Sequence, residues 1–231
     1  MTVTAVILAH YKEREANLKR IVDDLLDGSV KPERIIMFID NPQIEFEDDR
    51  VTIIRSSKYF LPGIRFAVGL TCETDYCFFI DDDLSVQKET LANFTDYATK
   101  RPFSILGLEG SILGHTDAPY SNDLSIPRGN KLVEVDVIIR TYFVPLEMLV
   151  AGFHLRTMYP DLPRRSLDDV FLSLGNKYLN REKNYVIPVD GDTDLIELPD
   201  GGVGQSYNGE HYENRNIVCR FLMDRYEQLG R

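Results

Sequence analysis

No stretch of this 231-residue chain is apolar for long enough to cross a membrane. A spanning helix needs about 20 consecutive apolar residues, and the opening run Val3 to Ala9 falls far short. That run also lacks the basic start and the cleavage site of a signal peptide. Basic residues are short as well: 26 Lys plus Arg stand against 37 Asp plus Glu, a formal charge of −11 with histidines neutral. A polyanion is held by a basic face, so nucleic acid is excluded as the natural partner, and a phosphate ligand needs a cation as intermediary. Only three cysteines occur, Cys72, Cys77 and Cys219. They cannot all pair and show no CxxC or Cys/His metal spacing, which points to a reducing compartment and a cytoplasmic protein. There is no repeat, low-complexity tract, charge block or convincing linker, so residues 1–231 read as one domain.

What is present is ordinary globular material, 43% hydrophobic and 27% charged, which argues against disorder. A chain of this size buries roughly 70% of its unfolded surface. Val3 to Ala9 predicts a strand buried on both faces. Ala16, Leu18, Ile21, Val22, Leu25 and Leu26 recur at helical spacing, with Gly28 placed for a left-handed cap. Strands follow at Arg34 to Ile39, Val51 to Ile54 and Tyr76 to Ile80, with a short helix over Gly63 to Cys72. Ser85 is positioned to cap a helix using Val86, Leu91, Phe94 and Ala98. This alternation predicts an α/β fold, a largely parallel sheet covered by helices, with ligands at the strands' carboxyl ends after residues 9, 40 and 80.

The second half is less regular. Ser104 to Leu108 and Leu132 to Val144 read as extended, Pro145 to Ala151 and Asp168 to Leu179 as helical. The glycine-rich stretch from Asp200 to Gly209 is a loop. Ile217, Val218, Phe221, Leu222 and Leu229 stripe a C-terminal helix.

The strongest chemical signal is Asp81-Asp82-Asp83 directly after an apolar strand. Adjacent carboxylates repel, and burying them calls for a cation; hard divalent ions take one or two carboxylates and leave room for substrate phosphates. The competing reading is an exposed acidic turn that caps the next helix. Asp190 to Asp194 imitates a calcium loop, but Leu195 and Gly201 stand where that loop needs its glycine and glutamate, so an EF-hand is rejected.

Phe78-Phe79-Ile80-Asp81-Asp82-Asp83 resembles the strand and DxD motif of the GT-A nucleotide-sugar glycosyltransferases, especially those like family 2. Ile7-Leu8-Ala9-His10-Tyr11 with Asn17-Leu18, Asp40, and Gly63-Ile64-Arg65-Phe66-Ala67 resemble further pieces in the same order, over about the first 100 residues. The resemblance implies a GT-A-type, Rossmann-like domain whose first 100 residues bind nucleotide sugar and metal and whose residues 101–231 bind acceptor. It implies that His10, Tyr11 and Asp40 hold the nucleoside, that Arg65 assists base or phosphate, and that Asp81 to Asp83 bind ribose and Mn²⁺ or Mg²⁺. Asp40-Asn41-Pro42 is equally a turn signal, and Arg65 equally a solvated helix residue.

Ser166-Leu167-Asp168-Asp169 resembles the acidic pair that opens a helix in that fold, where a carboxylate is the general base of inverting members. Asp169 occupies the family's second position and Asp168 is the alternative, while the S-x-x-D spacing also fits a capping box. His211 resembles a late histidine that completes the metal site in some GT-A enzymes, and imidazole favours Mn²⁺; an ordinary surface histidine is the other reading. Arg164-Arg165 reads as reaching a diphosphate leaving group or as a paired-basic surface turn. The expectation is a metal-dependent hexosyltransferase, inverting, that uses a UDP or GDP sugar and a glycan or other hydroxyl acceptor. The alternatives are a sugar nucleotidyltransferase, whose basic phosphate loop is missing after the first strand, and a catalytically silent binding module.

Overall fold

The structure is a computed structural model that describes residues 1–60, 62–121, 124–163, 167–204 and 210–228. The expectations placed on Arg164, Arg165, Ser166, Leu229 and positions 205–209 of the glycine-rich loop lie outside the described residues. Strand β1 (Val3–Ala9) is buried along its whole length. Then come α1 (Glu15–Asp27), β2 (Arg34–Ile39), β3 (Thr52–Arg55), α2 (Ile64–Gly69) and β4 (Tyr76–Asp81), in the order the apolar pattern predicts. A short strand β5 (Leu84–Val86) intervenes before α3 (Thr90–Lys100). Ser85 therefore caps no helix: it lies in β5, and its Oγ donates to Asp24 Oδ2 at 2.7 Å.

The second half comprises β6 (Ile105–Gly107), β7 (Glu109–Ser111), β8 (Ser125–Ile126), β9 (Val133–Val135), β10 (Val137–Ile139) and β11 (Tyr142–Pro145). It continues with α4 (Leu149–Met158), α5 (Asp168–Gly175), β12 (Asn184–Val186), β13 (Leu195–Glu197) and α6 (Glu210–Glu227). Eight strands form one sheet in the order β3-β2-β1-β4-β11-β6-β12-β9. Strands β3, β2, β1 and β4 run parallel, as do β6 and β12, while β11 is antiparallel to both its neighbours. The extended run expected over 132–144 breaks into three strands, because the chain passes from the large sheet to the three-stranded one at Asp136 and turns again at Arg140. That residue sits at φ +65° in a tight turn closed by Thr141 N–H donating to the Ile139 carbonyl at 2.8 Å.

Alternation along β1 decides which layer each side chain meets. Ala5, Ile7 and Ala9 pack with Leu18, Ile21 and Leu25 of α1 and Leu91 and Phe94 of α3. Val6 and Leu8 point the other way, into a cluster with Phe66 of α2, Leu149 of α4 and Leu172 of α5. A third cluster joins Val170, Phe171 and Leu174 of α5 to Val218, Leu222 and Tyr226 of α6. The buried face of α6 also takes in Arg215, Cys219 and Met223, so Ile217 and Phe221, expected inside, are 46% and 40% exposed. The sequence stripe was misaligned because it gave Arg215 no place on the inner face.

Two glycines mark close approaches. Gly28 is not left-handed, with φ −59°; a Cβ there would lie 3.0 Å from the Val30 carbonyl oxygen, where the chain passes under Lys88. A Cβ on Gly175 would lie 2.7 Å from the backbone nitrogen of Gly152, so α4 and α5 touch backbone to backbone. Among the described residues, no helix is long and apolar enough to cross a membrane.

Candidate active site

The parallel strands end side by side, with Ala9 opposite Ile39 and Leu8 opposite Asp81. Their carboxyl ends deliver His10, Asp40 and Asp81 to one edge, where sheets of this kind place ligands. A cleft of about 350 Å³ opens there. On one side it is lined by His10, Tyr11, Arg65 and the three aspartates 81 to 83. Asp168 and Asp169 from the start of α5 and His211 from the first turn of α6 complete it.

Asp40 stands behind the cleft rather than in it. It is 2% exposed, and its carboxylate accepts hydrogen bonds from His10 Nδ1 and from the Phe60 backbone N–H, both at 2.8 Å. Asp40, expected to contact a base, is reached from the cleft only through His10. The His10 ring lies 4.0 Å from that of Tyr59 and 4.9 Å from that of Tyr11, so the presenting surface is aromatic.

The three adjacent aspartates have arginine partners. Arg65 donates to Asp81, and its Nε lies 3.7 Å from Asp168 Oδ2. Arg14 Nη1 donates to Asp82 Oδ1 at 2.6 Å, and its Nη2 is 3.1 Å from Asp83. Arg140 reaches to 3.9 Å of Asp83 Oδ1. Arg65 is buried, so its reading as a solvated helix residue does not stand. Arg14 and Asn17 also donate to the carbonyls of Asp200 and Pro199, which fastens the entry of the glycine-rich loop to the acidic motif. Burial raises the Asp82 carboxyl above its usual range, against the pull of Arg14.

At the start of α5, Asp169 is 4% exposed. Its Oδ2 accepts from Arg215 Nη2 at 2.5 Å, and its Oδ1 from the Val170 N–H at 2.9 Å. Asp169 therefore serves the helix terminus and an ion pair together. Asp168 is pushed up to about 6 by burial, with Arg65 opposing and Asp169 adding. Arg215 Nε donates to His211 Nε2 at 2.9 Å, and burial together with the Arg215 charge lowers His211 to about 4.

The residues present fit a hard divalent cation at Asp83 and Asp81. Asp83 Oδ1 is buried without a hydrogen-bond partner, and burial with the neighbouring Asp81 charge raises its carboxyl to about 6. Mg²⁺-type sites use one or two protein carboxylates and fill the remaining positions with water and substrate phosphate. Among the described residues, no group of three or more His, Cys, Asp or Glu side chains is assembled into a ligand set. His211 is occupied by Arg215, and ligation through Nδ1 requires that bond to be released.

Sequence reasoning missed Arg14, Arg140, Arg215 and Tyr59, all of which line the cleft. Arg14 carried a weak signal, since a carboxylate triplet at a buried strand end needs cationic partners and Arg14 follows β1 closely. Nothing local marked Arg140 or Arg215.

In sequence, the chain matches no family model and no curated protein. Solved structures do resemble it. Residues 1–349 of S. aureus TarS, in complex with UDP-GlcNAc, superpose with a TM-score of 0.63 at 14% identity, covering 96% of this chain and 67% of that one. GalNAc-T7, solved with UDP, GalNAc and Mn²⁺, gives a TM-score of 0.69 at 11% identity and covers 98% of this chain. The chain spans half the length of GalNAc-T7, 50%. At such identities the likeness establishes the architecture: a mixed α/β fold of the GT-A glycosyltransferase type.

Proposed function

We propose that this chain is a glycosyltransferase that moves a hexosyl unit from a UDP- or GDP-linked donor to a hydroxyl of a glycan or other acceptor, with inversion. The observation that carries this reading is Arg65, one buried guanidinium paired with Asp81 on β4 and Asp168 on α5. It brings the two acidic motifs to one cleft, as a donor site and a base must be for in-line displacement. The fold shared with structures solved with UDP-GlcNAc and with UDP, GalNAc and Mn²⁺ supports it.

In this reading His10, steadied by Asp40, and the rings of Tyr11 and Tyr59 receive the nucleoside. Arg14 and Arg140 keep the wall beneath the diphosphate from being a bare anion. Asp169 removes the proton of the attacking hydroxyl, held in place by Arg215, and Asp168 is kept beside it by Arg65. A divalent cation held by Asp83 and Asp81 would supply positive charge to the donor's phosphates as the leaving group departs; His211 joins as a ligand only by leaving Arg215.

Thermal melting with UDP or GDP tests the donor side. A ligand at 100 times its Kd raises stability by about 2.7 kcal/mol. The expected result is a rise in Tm that needs Mn²⁺ or Mg²⁺, disappears in chelator and is lost in Asp83→Asn. A nucleotide shift undiminished in that variant and in chelator overturns the cation assignment, and no shift with any nucleotide overturns the function.

A further inference from the structure

Two buried polar atoms without hydrogen-bond partners lie one turn apart on α6: His211 Nδ1 and Arg215 Nη1. Both residues line the cleft. Arg215 is 5% exposed, and its other nitrogens are committed: Nη2 to Asp169 and Nε to His211 Nε2. Its guanidinium also lies over an aromatic face, with Cζ 4.6 Å from the Tyr120 centroid, which restrains its plane. An arginine nitrogen can only donate, so His211 Nε2 must accept, and a neutral ring then carries its proton on Nδ1. The two unpartnered atoms are therefore both N–H donors. A buried donor lacking an acceptor is costly unless a ligand supplies one.

We propose that His211 Nδ1–H and Arg215 Nη1–H form a subsite for an oxyanion, a phosphate or carboxylate, carried by the acceptor beside the hydroxyl to be glycosylated. This rests on the assignment of Asp169 as base. The guanidinium that offers Nη1 also holds Asp169 through Nη2, so an anion on Nη1 sits next to the attacking oxygen rather than at the Asp81 to Asp83 wall where the donor's diphosphate is placed. A chain of net charge −11 repels an anionic acceptor, and local donors of this kind are what make one bindable. Tyr212, next to His211 and 39% exposed, adds an aromatic face at the cleft for the rest of the acceptor.

The test uses the full chain with ¹⁵N-labelled histidine and arginine side chains, followed by NMR as inorganic phosphate or acetate is added. The expected result is a His211 proton on Nδ1 and saturable shifts of His211 and Arg215 that persist in saturating UDP or GDP with Mg²⁺. Arg215→Gln and His211→Gln should each weaken the phosphate response about tenfold or more. If Arg215→Gln does not fold, the His211 variant and the wild-type spectra still decide the matter. Absence of a saturable shift overturns the subsite. So does nucleotide with Mg²⁺ alone moving the His211 proton to Nε2 or blocking phosphate, since the donors would then serve metal or diphosphate. Failure of every nucleotide to bind sinks the donor reading instead, while phosphate alone still reports on His211 and Arg215.

Discussion

Arg14 Nη1 donates to Asp82 Oδ1 at 2.6 Å across 68 residues of sequence, and both side chains are under 10% exposed, at 8% and 6%. The pair makes a carboxylate triplet tolerable at a buried strand end. Removing one partner of such a pair strands the other charge and costs about 3–5 kcal/mol. Arg14→Met is therefore expected to lose stability on that scale in equilibrium urea unfolding. Adding Asp82→Asn to the same chain should recover much of it, because the stranded charge is then gone. If the double variant is no more stable than the single one, the hydrogen bonds of Arg14 to the carbonyls of Asp200 and Val203, not the ion pair, carry the effect.

The proposed base is tested by Asp169→Asn, which should lower turnover by about 10²–10⁴ while nucleotide affinity is unchanged. Asn caps a helix nearly as well as Asp, but here the substitution also deprives Arg215 of its anionic partner. Unfolding must accordingly be measured beside activity, and the rates compared only where the variant is fully folded. Asp168→Asn, whose loss leaves Arg65 still paired with Asp81, should have the smaller effect on turnover. The reverse ranking would transfer the role of base to Asp168.

Asp168 also gives a pH signature. Burial, opposed by Arg65 and aided by Asp169, holds its folded value near 6, above the ordinary carboxylate value of about 4. The folded state then binds the proton more tightly than the unfolded chain, so the contribution to stability is full below about pH 4 and is lost as pH rises through about 6. The stability of the wild type relative to Asp168→Asn should rise as pH falls across that window. Denaturant midpoints for both proteins from pH 4 to 7 measure it, and parallel curves would remove the argument.

Gly175→Ala should destabilise through overpacking, since its Cβ would come 2.7 Å from the Gly152 nitrogen and 2.8 Å from the Ala151 carbonyl carbon. Backbone cannot yield as a flexible side chain can, and a loss of about 1–3 kcal/mol is expected. Because α5 carries Asp168 and Asp169 at its other end, turnover should fall along with the melting temperature. A variant with wild-type stability would show that α4 and α5 separate without cost.

Much of the first half was legible. Strands β1, β2 and β4 announce themselves because central strands between two helical layers are apolar on both faces, a property visible within six or seven residues. The placement of His10 and Asp81 to Asp83 at the sheet's ligand edge follows from that pattern alone. The second half was harder to read, since its strands are two to four residues long and too short for alternation to show. The turn at Arg140 has no signature either, as a non-glycine residue at φ +65° is held there by its surroundings.

The sequence by itself determined which carboxylates reach the cleft, because an apolar strand must end where it meets water and its next residues lie at that edge. Only the tertiary structure decided what those carboxylates meet. Arg215 stands 46 residues from Asp169, and Arg14, at the start of α1, stands 68 residues from Asp82. Buried charges choose partners by distance in space and by the cost of leaving water. Those quantities exist only after the sheet, α5 and α6 have closed around the site.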